Sequence, residues 1–331
     1  MTVFLATLSP LLMLFSCIAI GFSLKKTGVL PEGAGKAIAK LETWVFVPAL
    51  NFMTMARFCT VDTLSTHATN IVLASFSVAI ALGLAIFLSR FFVREKCAER
   101  GVYRYALAFA NSGYLGDPIV LALFGEGILS YYKLFCLPIN LVIYTWGVSV
   151  LTPAKEGASP LKRLLNAPTI ATLVGILFGL LSVNTYMPAF LISTLDGLKA
   201  CMGPCGMLLA GVTIARYDLL SMLKKKKVYG ATILRLFVLP AVLVTALFGI
   251  KTLANLLLGS SIGNDVLFLC LFATAAPLGL NTVVFPEAYG GSPETGASMT
   301  MVSHTLCVLS SPLLYALMVA IFGTPFSFHY V

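Results

Sequence analysis

The sequence predicts an all-α polytopic membrane protein: ten transmembrane helices arranged as two inverted five-helix repeats, with helices 4 and 9 broken. Three observations carry that expectation. Of 331 residues, 59% are hydrophobic and 11% charged, against about one quarter charged in soluble domains. Apolar runs of about 20 residues, the length an α-helix needs to cross a hydrocarbon core, recur from one end to the other. Landmarks in the first half return about half a chain later: Pro31 and Pro48 as Pro188 and Pro204, and Phe124-Gly125 as Tyr289-Gly290.

Hydrophobic runs and Gly, Pro and charge punctuation place the spans at 3–24, 37–56, 69–92, 103–124, 128–151, 168–184, 189–215, 228–250, 264–289 and 296–322. The first lacks a basic leader and an A-x-A cleavage site, so it reads as a retained span and not as a signal peptide. Residues 1–152 form the first repeat, 153–166 a cytoplasmic linker and 167–331 the second repeat. Because each repeat holds an odd number of spans, the second must enter the membrane in the opposite sense.

Charge fixes the orientation. One set of connections carries Lys25, Lys26, Lys36 and Lys40; Arg90, Arg94, Lys96, Arg100 and Arg104; Lys155, Lys162 and Arg163; and Arg216 with Lys224 to Lys227. The other set carries Arg57, Lys133 and Lys251. By the positive-inside rule the basic set faces the cytoplasm, which puts both termini outside a plasma (inner) membrane. The Lys224 to Lys227 run also suits acidic lipid.

Several function classes fall away. No polar block is long enough for a soluble catalytic domain, and the basic residues follow membrane connections and do not form a nucleic-acid patch. There is no G-x-x-x-x-G-K-[ST] phosphate cradle for a primary pump. The eight cysteines lack CxxC or zinc spacing, so no metal or cofactor is implied. A Ser112–His304 dyad or an Asp117–Asp265 pair would be needed for an intramembrane hydrolase, and neither has a supporting motif. A channel or a transporter-like receptor remains as an alternative to a carrier.

Span 4 contains Asn111-Ser-Gly-Tyr-Leu-Gly-Asp-Pro118. Gly costs about 1 kcal/mol and Pro about 3 relative to Ala inside a helix, and the residue before a proline avoids the α region. The helix is expected to unwind there. Span 9 carries Ala276-Pro-Leu-Gly-Leu-Asn-Thr282 at the corresponding place, followed by Pro286. Lipid cannot satisfy freed N–H and C=O groups, so broken backbone persists only where protein, ligand or water meets it. Paired interruptions at equivalent places mark a binding site at the centre of a secondary transporter. Half-helix N-termini with Asn111 and Asn281 beside them suit an anion such as a carboxylate.

With N-S-G-Y-L-G-D-P at 111–118, N-A-P at 166–168 and M-G-P-C-G-M-L-L-A-G at 202–211, the chain resembles the auxin efflux carrier family. A-P-L-G-L-N-T-V-V-F-P-E-A-Y-G-G at 276–291 and P-E-T-G-A-S-M at 293–299 complete the match. That family includes bacterial malate and malonate permeases and plant PIN carriers. The resemblance implies a scaffold of spans 1, 2, 6 and 7 and a transport domain of spans 3–5 and 8–10. It also implies elevator motion, spans 4 and 9 crossing at their breaks, and a homodimer. Asn111 and Asn281 would flank the substrate carboxylate, and Pro118 and Pro277 would shape the crossover. Asp117 departs from the apolar residue expected at its place.

The candidate substrate site is thus Asn111, Ser112, Gly113, Tyr114, Gly116, Pro118, Pro277, Gly279, Asn281 and Thr282, with Asn51 facing it from span 2 and Arg235 from span 8. Asp117 either binds a coupling proton or sodium ion or caps the second half-helix. Arg235 either pairs with a carboxylate or snorkels to the cytoplasmic face. Glu287 is an interfacial or ion-coupling residue, and His304 a hydrogen-bonded core residue or a proton relay. The expected partners are a small organic anion, the bilayer and a second copy of the chain.

Overall fold

The computed structural model describes residues 2–152 and 166–326; residues 153–165, which hold most of the expected linker with Lys155, Lys162 and Arg163, lie outside them. Among the described residues the protein is all-helical, with one isolated antiparallel bridge between Ala110 and Leu278. The helices are α1 (Thr2–Lys26), α2 (Ala34–Leu41), α3 (Val47–Phe58), α4 (Val61–Thr66), α5 (Ala68–Phe92), α6 (Ala98–Ala108), α7 (Asp117–Val142) and α8 (Val148–Leu151). After the linker follow α9 (Ala167–Leu180), α10 (Ala189–Ala215), α11 (Leu219–Leu223), α12 (Lys226–Ile233), α13 (Leu239–Leu258), α14 (Asp265–Thr274), α15 (Asn281–Tyr289) and α16 (Pro293–Phe322).

Among the described residues, five stretches are long and apolar enough to cross a bilayer: Ala68–Phe92, Ser112–Leu151, Ala189–Ala215, Lys226–Leu258 and Pro293–Phe322, with Ala167–Leu180 and Asp265–Thr274 as shorter apolar helices. The second of these is interrupted at Gly125, whose φ of 78° no ordinary L residue adopts cheaply. That turn falls where the sequence divides spans 4 and 5. Leucines and aromatics such as Phe91, Phe190, Leu257 and Leu309 are exposed on the outer faces, an arrangement that lipid stabilises and water does not. The chain is a multi-pass membrane protein.

Two packing groups position the centre. Helix α1 lies along α10, and α3 packs on both α9 and α10. The first contact is backbone to backbone: a Cβ at Gly21 would stand 2.1 Å from the Leu208 carbonyl oxygen, and one at Gly211 2.0 Å from that of Ile18. Small residues that let helices touch in this way supply the van der Waals contact that drives association in lipid. The other group contains α5 against α6, α7 and α13, α14 against α7 and α13, and α16 against α12 and α15.

Proline placement explains three local irregularities. Pro48, Pro118 and Pro240 each follow a five-residue π turn: Glu42–Phe46, Ser112–Gly116 and Leu234–Val238. In each, the residue before the proline donates five residues back, Val47 to Glu42, Asp117 to Ser112 and Leu239 to Leu234. A proline lacks the N–H and its ring clashes with the carbonyl four residues earlier. The extra residue of a π turn carries that carbonyl aside, so the helix widens and continues.

Candidate functional site

Span 4 does break, but earlier than proline strain alone predicts. Helix α6 ends at Ala108, Phe109 to Asn111 are extended or irregular, and the π turn begins at Ser112. Pro118 sits in the first turn of α7, where its missing N–H costs little. The start is fixed by Asn111, whose side-chain oxygen accepts from the Tyr114 N–H at 3.3 Å while its carbonyl accepts from Leu115 and Gly116. Ser112 and Gly113 stand at the head of the turn, where a helix N-terminus leaves N–H groups without an intrahelical partner. Span 9 breaks between Thr274 and Asn281.

The two broken segments cross and bond to each other. The Asn111 N–H donates to the Pro277 carbonyl at 2.7 Å, and Ala110 pairs with Leu278 across the antiparallel bridge. Leu278 also donates to the Ser303 hydroxyl of α16 at 3.3 Å. Polar backbone deep in the protein is therefore met by backbone of the other crossing segment and by a side chain, as burial demands.

A small cavity opens beside the crossing. Of the sequence-predicted residues, Asn51, Asn111, Ser112, Gly113, Tyr114, Asp117, Gly279 and Asn281 line it. Gly116, Pro118, Pro277 and Thr282 are not among the lining residues. Gly116 is held to a hydrogen by Tyr132, whose hydroxyl would lie 2.2 Å from a Cβ there and which donates to the Ser112 carbonyl at 3.2 Å. Thr282 donates to the Gly279 carbonyl at 2.9 Å.

Both crossover asparagines already have partners. Asn111 Nδ2 meets His304 Nε2 at 3.2 Å, and His304 Nδ1 lies 2.8 Å from the Thr300 carbonyl. That set is complete when Nδ1–H donates to Thr300 and Nε2 accepts, the neutral ring. His304 is thus the hydrogen-bonded core residue and makes no dyad with Ser112. Asn281 Nδ2 donates to the Tyr105 hydroxyl at 2.7 Å, leaving Oδ1 buried without a partner. Asn51 is held by α9, donating to the Thr172 hydroxyl at 3.1 Å and the Pro168 carbonyl at 3.3 Å.

The charged residues differ most from expectation. Asp117 forms an ion pair with Lys133, a residue the charge count had assigned to an outer connection; both line the cavity. Tyr105, Lys133, Asn140 and Tyr144 are lining residues that sequence reasoning missed. Only Lys133 carried a signal, a lone cation inside an apolar run, which by itself marks a functional position. Asp265 bonds to the Phe326 N–H at 2.8 Å, at a different pocket from Asp117, so no carboxylate pair forms.

Arg235 neither snorkels nor reaches the cavity. It is 1% exposed and donates from one guanidinium nitrogen to the Leu107 carbonyl at 3.2 Å and from another to the Thr274 carbonyl at 2.7 Å. Those carbonyls end α6 and α14, the two half-helices that precede the breaks. One planar cation therefore caps the negative ends of both. Glu287 is likewise engaged, accepting from Arg216 at 2.5 Å and from the Thr213 hydroxyl at 3.1 Å on α10.

A sequence profile described as "Membrane transport protein" matches residues 6–315. The chain belongs to that family, the auxin efflux carrier group. Among its relatives is a protein of Rhizobium meliloti (strain 1021) named putative malonate transporter, 25% identical over 315 residues, covering 91% of this chain and 92% of the relative. An uncharacterized transporter of Methanocaldococcus jannaschii is 24% identical over 303 residues, covering 88% of this chain and 92% of the relative. For this member of the membrane transport protein family, the likeness runs through both crossing segments.

Proposed function

We propose that the chain is a secondary carrier of small carboxylate anions, malonate or malate among them, held at the crossing of the two broken helices. The observation that carries this reading is the hydrogen-bonded crossing at Asn111 and Pro277, with a polar cavity beside it. The N–H groups at Ser112 and Gly113 and the Lys133 ammonium supply positive potential there. Asp117 pairs with Lys133; an entering carboxylate would take over part of that contact, which makes Asp117 an internal stand-in for the substrate. Asn140 and Asn281, which line the same cavity, are the remaining amide donors.

In this reading α1, α2 with α3, α9 and α10 form the scaffold, and the helices around α5, α13 and α16 form the moving body. The ten spans make two inverted repeats, and the protein works as a homodimer in the plasma membrane with both termini outside. The name of the Rhizobium meliloti relative supports malonate as the first substrate to try.

The test is counterflow of radiolabelled malonate in proteoliposomes. A carrier gives saturable, trans-stimulated uptake, a channel gives uptake without trans-stimulation, and an enzyme gives product. Asn111→Ala and Asn281→Ala are expected each to raise the half-saturating malonate concentration about tenfold, equal to about 1.4 kcal/mol; unchanged affinity and flux in both would remove the crossing as the site.

A further inference from the structure

Glu42 is a carboxyl that the carrier reading does not use, and its surroundings are unlike those of the other acids buried in the protein. It lies in the π turn before Pro48 and is 0% exposed. Neither carboxyl oxygen has a hydrogen-bond partner among the described residues. Asp117 faces Lys133 and Glu287 faces Arg216, so those two carboxylates are compensated. A carboxylate at Glu42 would stand uncompensated in a dry site, the costliest state an acid can adopt; the neutral acid removes that cost.

The position couples two bodies. A Cβ at Gly206 of α10 would meet Glu42 Oε1 at 2.8 Å, a Tyr114 ring carbon at 3.1 Å and a Leu280 methyl at 2.7 Å. Tyr114 and Leu280 belong to the two crossing segments, while Glu42 and Gly206 belong to the helices packed with α1, α3 and α9. The carboxyl therefore sits on the seam over which the crossing would have to slide, next to a Tyr114 hydroxyl that also lacks a partner.

No cation approaches it from the elements packed there. Lys36, Lys40 and Arg57 are exposed, Asp196 pairs with Lys199 on α10, and Glu287 on α15 is held by Arg216. Helix α9 carries no titratable side chain. The titratable groups facing the carboxyl are the Tyr114 and Tyr144 phenols and the Cys205 thiol.

We propose that Glu42 is a proton-binding site: the neutral acid seals the crossing segments against α2, α3 and α10, and loss of the proton drives the seam open to water. The proposal rests on the carrier reading only for its use in transport. Protonation itself is tested without a substrate, by infrared spectroscopy of the full-length protein in lipid vesicles at neutral pH.

The carbonyl band of a protonated acid in apolar surroundings is expected in the wild type, absent from Glu42→Gln, and retained in Asp117→Asn and Glu287→Gln. A wild-type spectrum without the band overturns the proposal, as does a band that persists in Glu42→Gln; should that variant fail to reconstitute, the wild-type spectrum alone decides. Malonate counterflow on the same vesicles separates the two readings. A band without counterflow removes malonate carriage and keeps the proton site, and counterflow without the band does the reverse. Where both are present, the exchange rate is expected to vary with pH in the wild type and to be flat in Glu42→Gln; equal pH profiles would overturn the switching role.

Discussion

Replacing Arg235 by Lys tests whether one planar fork holds both half-helices. The guanidinium reaches Leu107 and Thr274 at once because its nitrogens diverge in a fixed plane. An ammonium on a shorter, single-pointed stem bonds one of the two carbonyls and leaves the other buried and unpaired. A hydrogen bond to a charged group contributes about 1.5–3 kcal/mol, and an orphaned buried acceptor costs about 1–3. These are two views of one loss, so the expected destabilisation is about 2 kcal/mol. In a chain of this size that lowers Tm by roughly 3 °C, read by thermal unfolding of the purified protein. Arg235→Met differs in an informative way: it orphans both carbonyls but also removes the cost of burying a guanidinium. Its Tm is expected to fall no further than that of the lysine variant, while malonate counterflow drops at least as much, since neither break is then tied. A lysine variant with wild-type Tm and wild-type counterflow would refute the double-capping role.

Three more expectations follow from particular contacts. The Asp117–Lys133 pair is partly buried, with side chains 20% and 13% exposed, so Asp117→Asn alone should cost about 2 kcal/mol, between the values for surface and buried pairs. Adding Lys133→Met should recover more than half of it; strictly additive unfolding energies would reject coupling. Gly211→Ala places a Cβ 2.0 Å from the Ile18 oxygen and should cost about 2–3 kcal/mol. Gly203→Ala on the same helix meets nothing within 4 Å and should be neutral or stabilising by up to about 1; equal Tm changes would contradict the close α1–α10 contact. Cys97 is exposed and should react with a membrane-impermeant maleimide from the cytoplasmic side in a Cys201→Ser background, whereas labelling from outside alone would invert the topology.

Composition and run length made the membrane class legible, because the bilayer allows only long apolar helices or closed barrels. The breaks were legible in location but not in register. Helix propensity assigns the strain to Asp117-Pro118, yet the chain absorbs Pro118 with a π turn and breaks at 109–111, where Asn111 starts a new helix end. Propensity counts residues one at a time and has no means of seeing a turn widened by one residue. The same device at Pro48 placed Glu42 inside the protein, although two lysines just before it, Lys36 and Lys40, made that stretch read as a membrane edge.

Partners distant in sequence were the part that could not be read. Arg235 finds its acceptors 128 and 39 residues away, and Lys133 finds Asp117 only because α7 turns at Gly125 and brings residues 16 apart together. An arginine in an apolar run has three physical outcomes: a ligand contact, snorkelling, or capping of interior carbonyls. The third requires two helix ends to terminate next to each other. Breaking two helices at one crossing creates four helix ends inside the protein, two with surplus N–H groups and two with surplus C=O groups. The C=O ends are met permanently by Arg235, so they add nothing to ligand binding. The N–H end at Ser112 and Gly113 lines the cavity together with Lys133, and in the proposed carrier that asymmetry would bias the crossing toward anions.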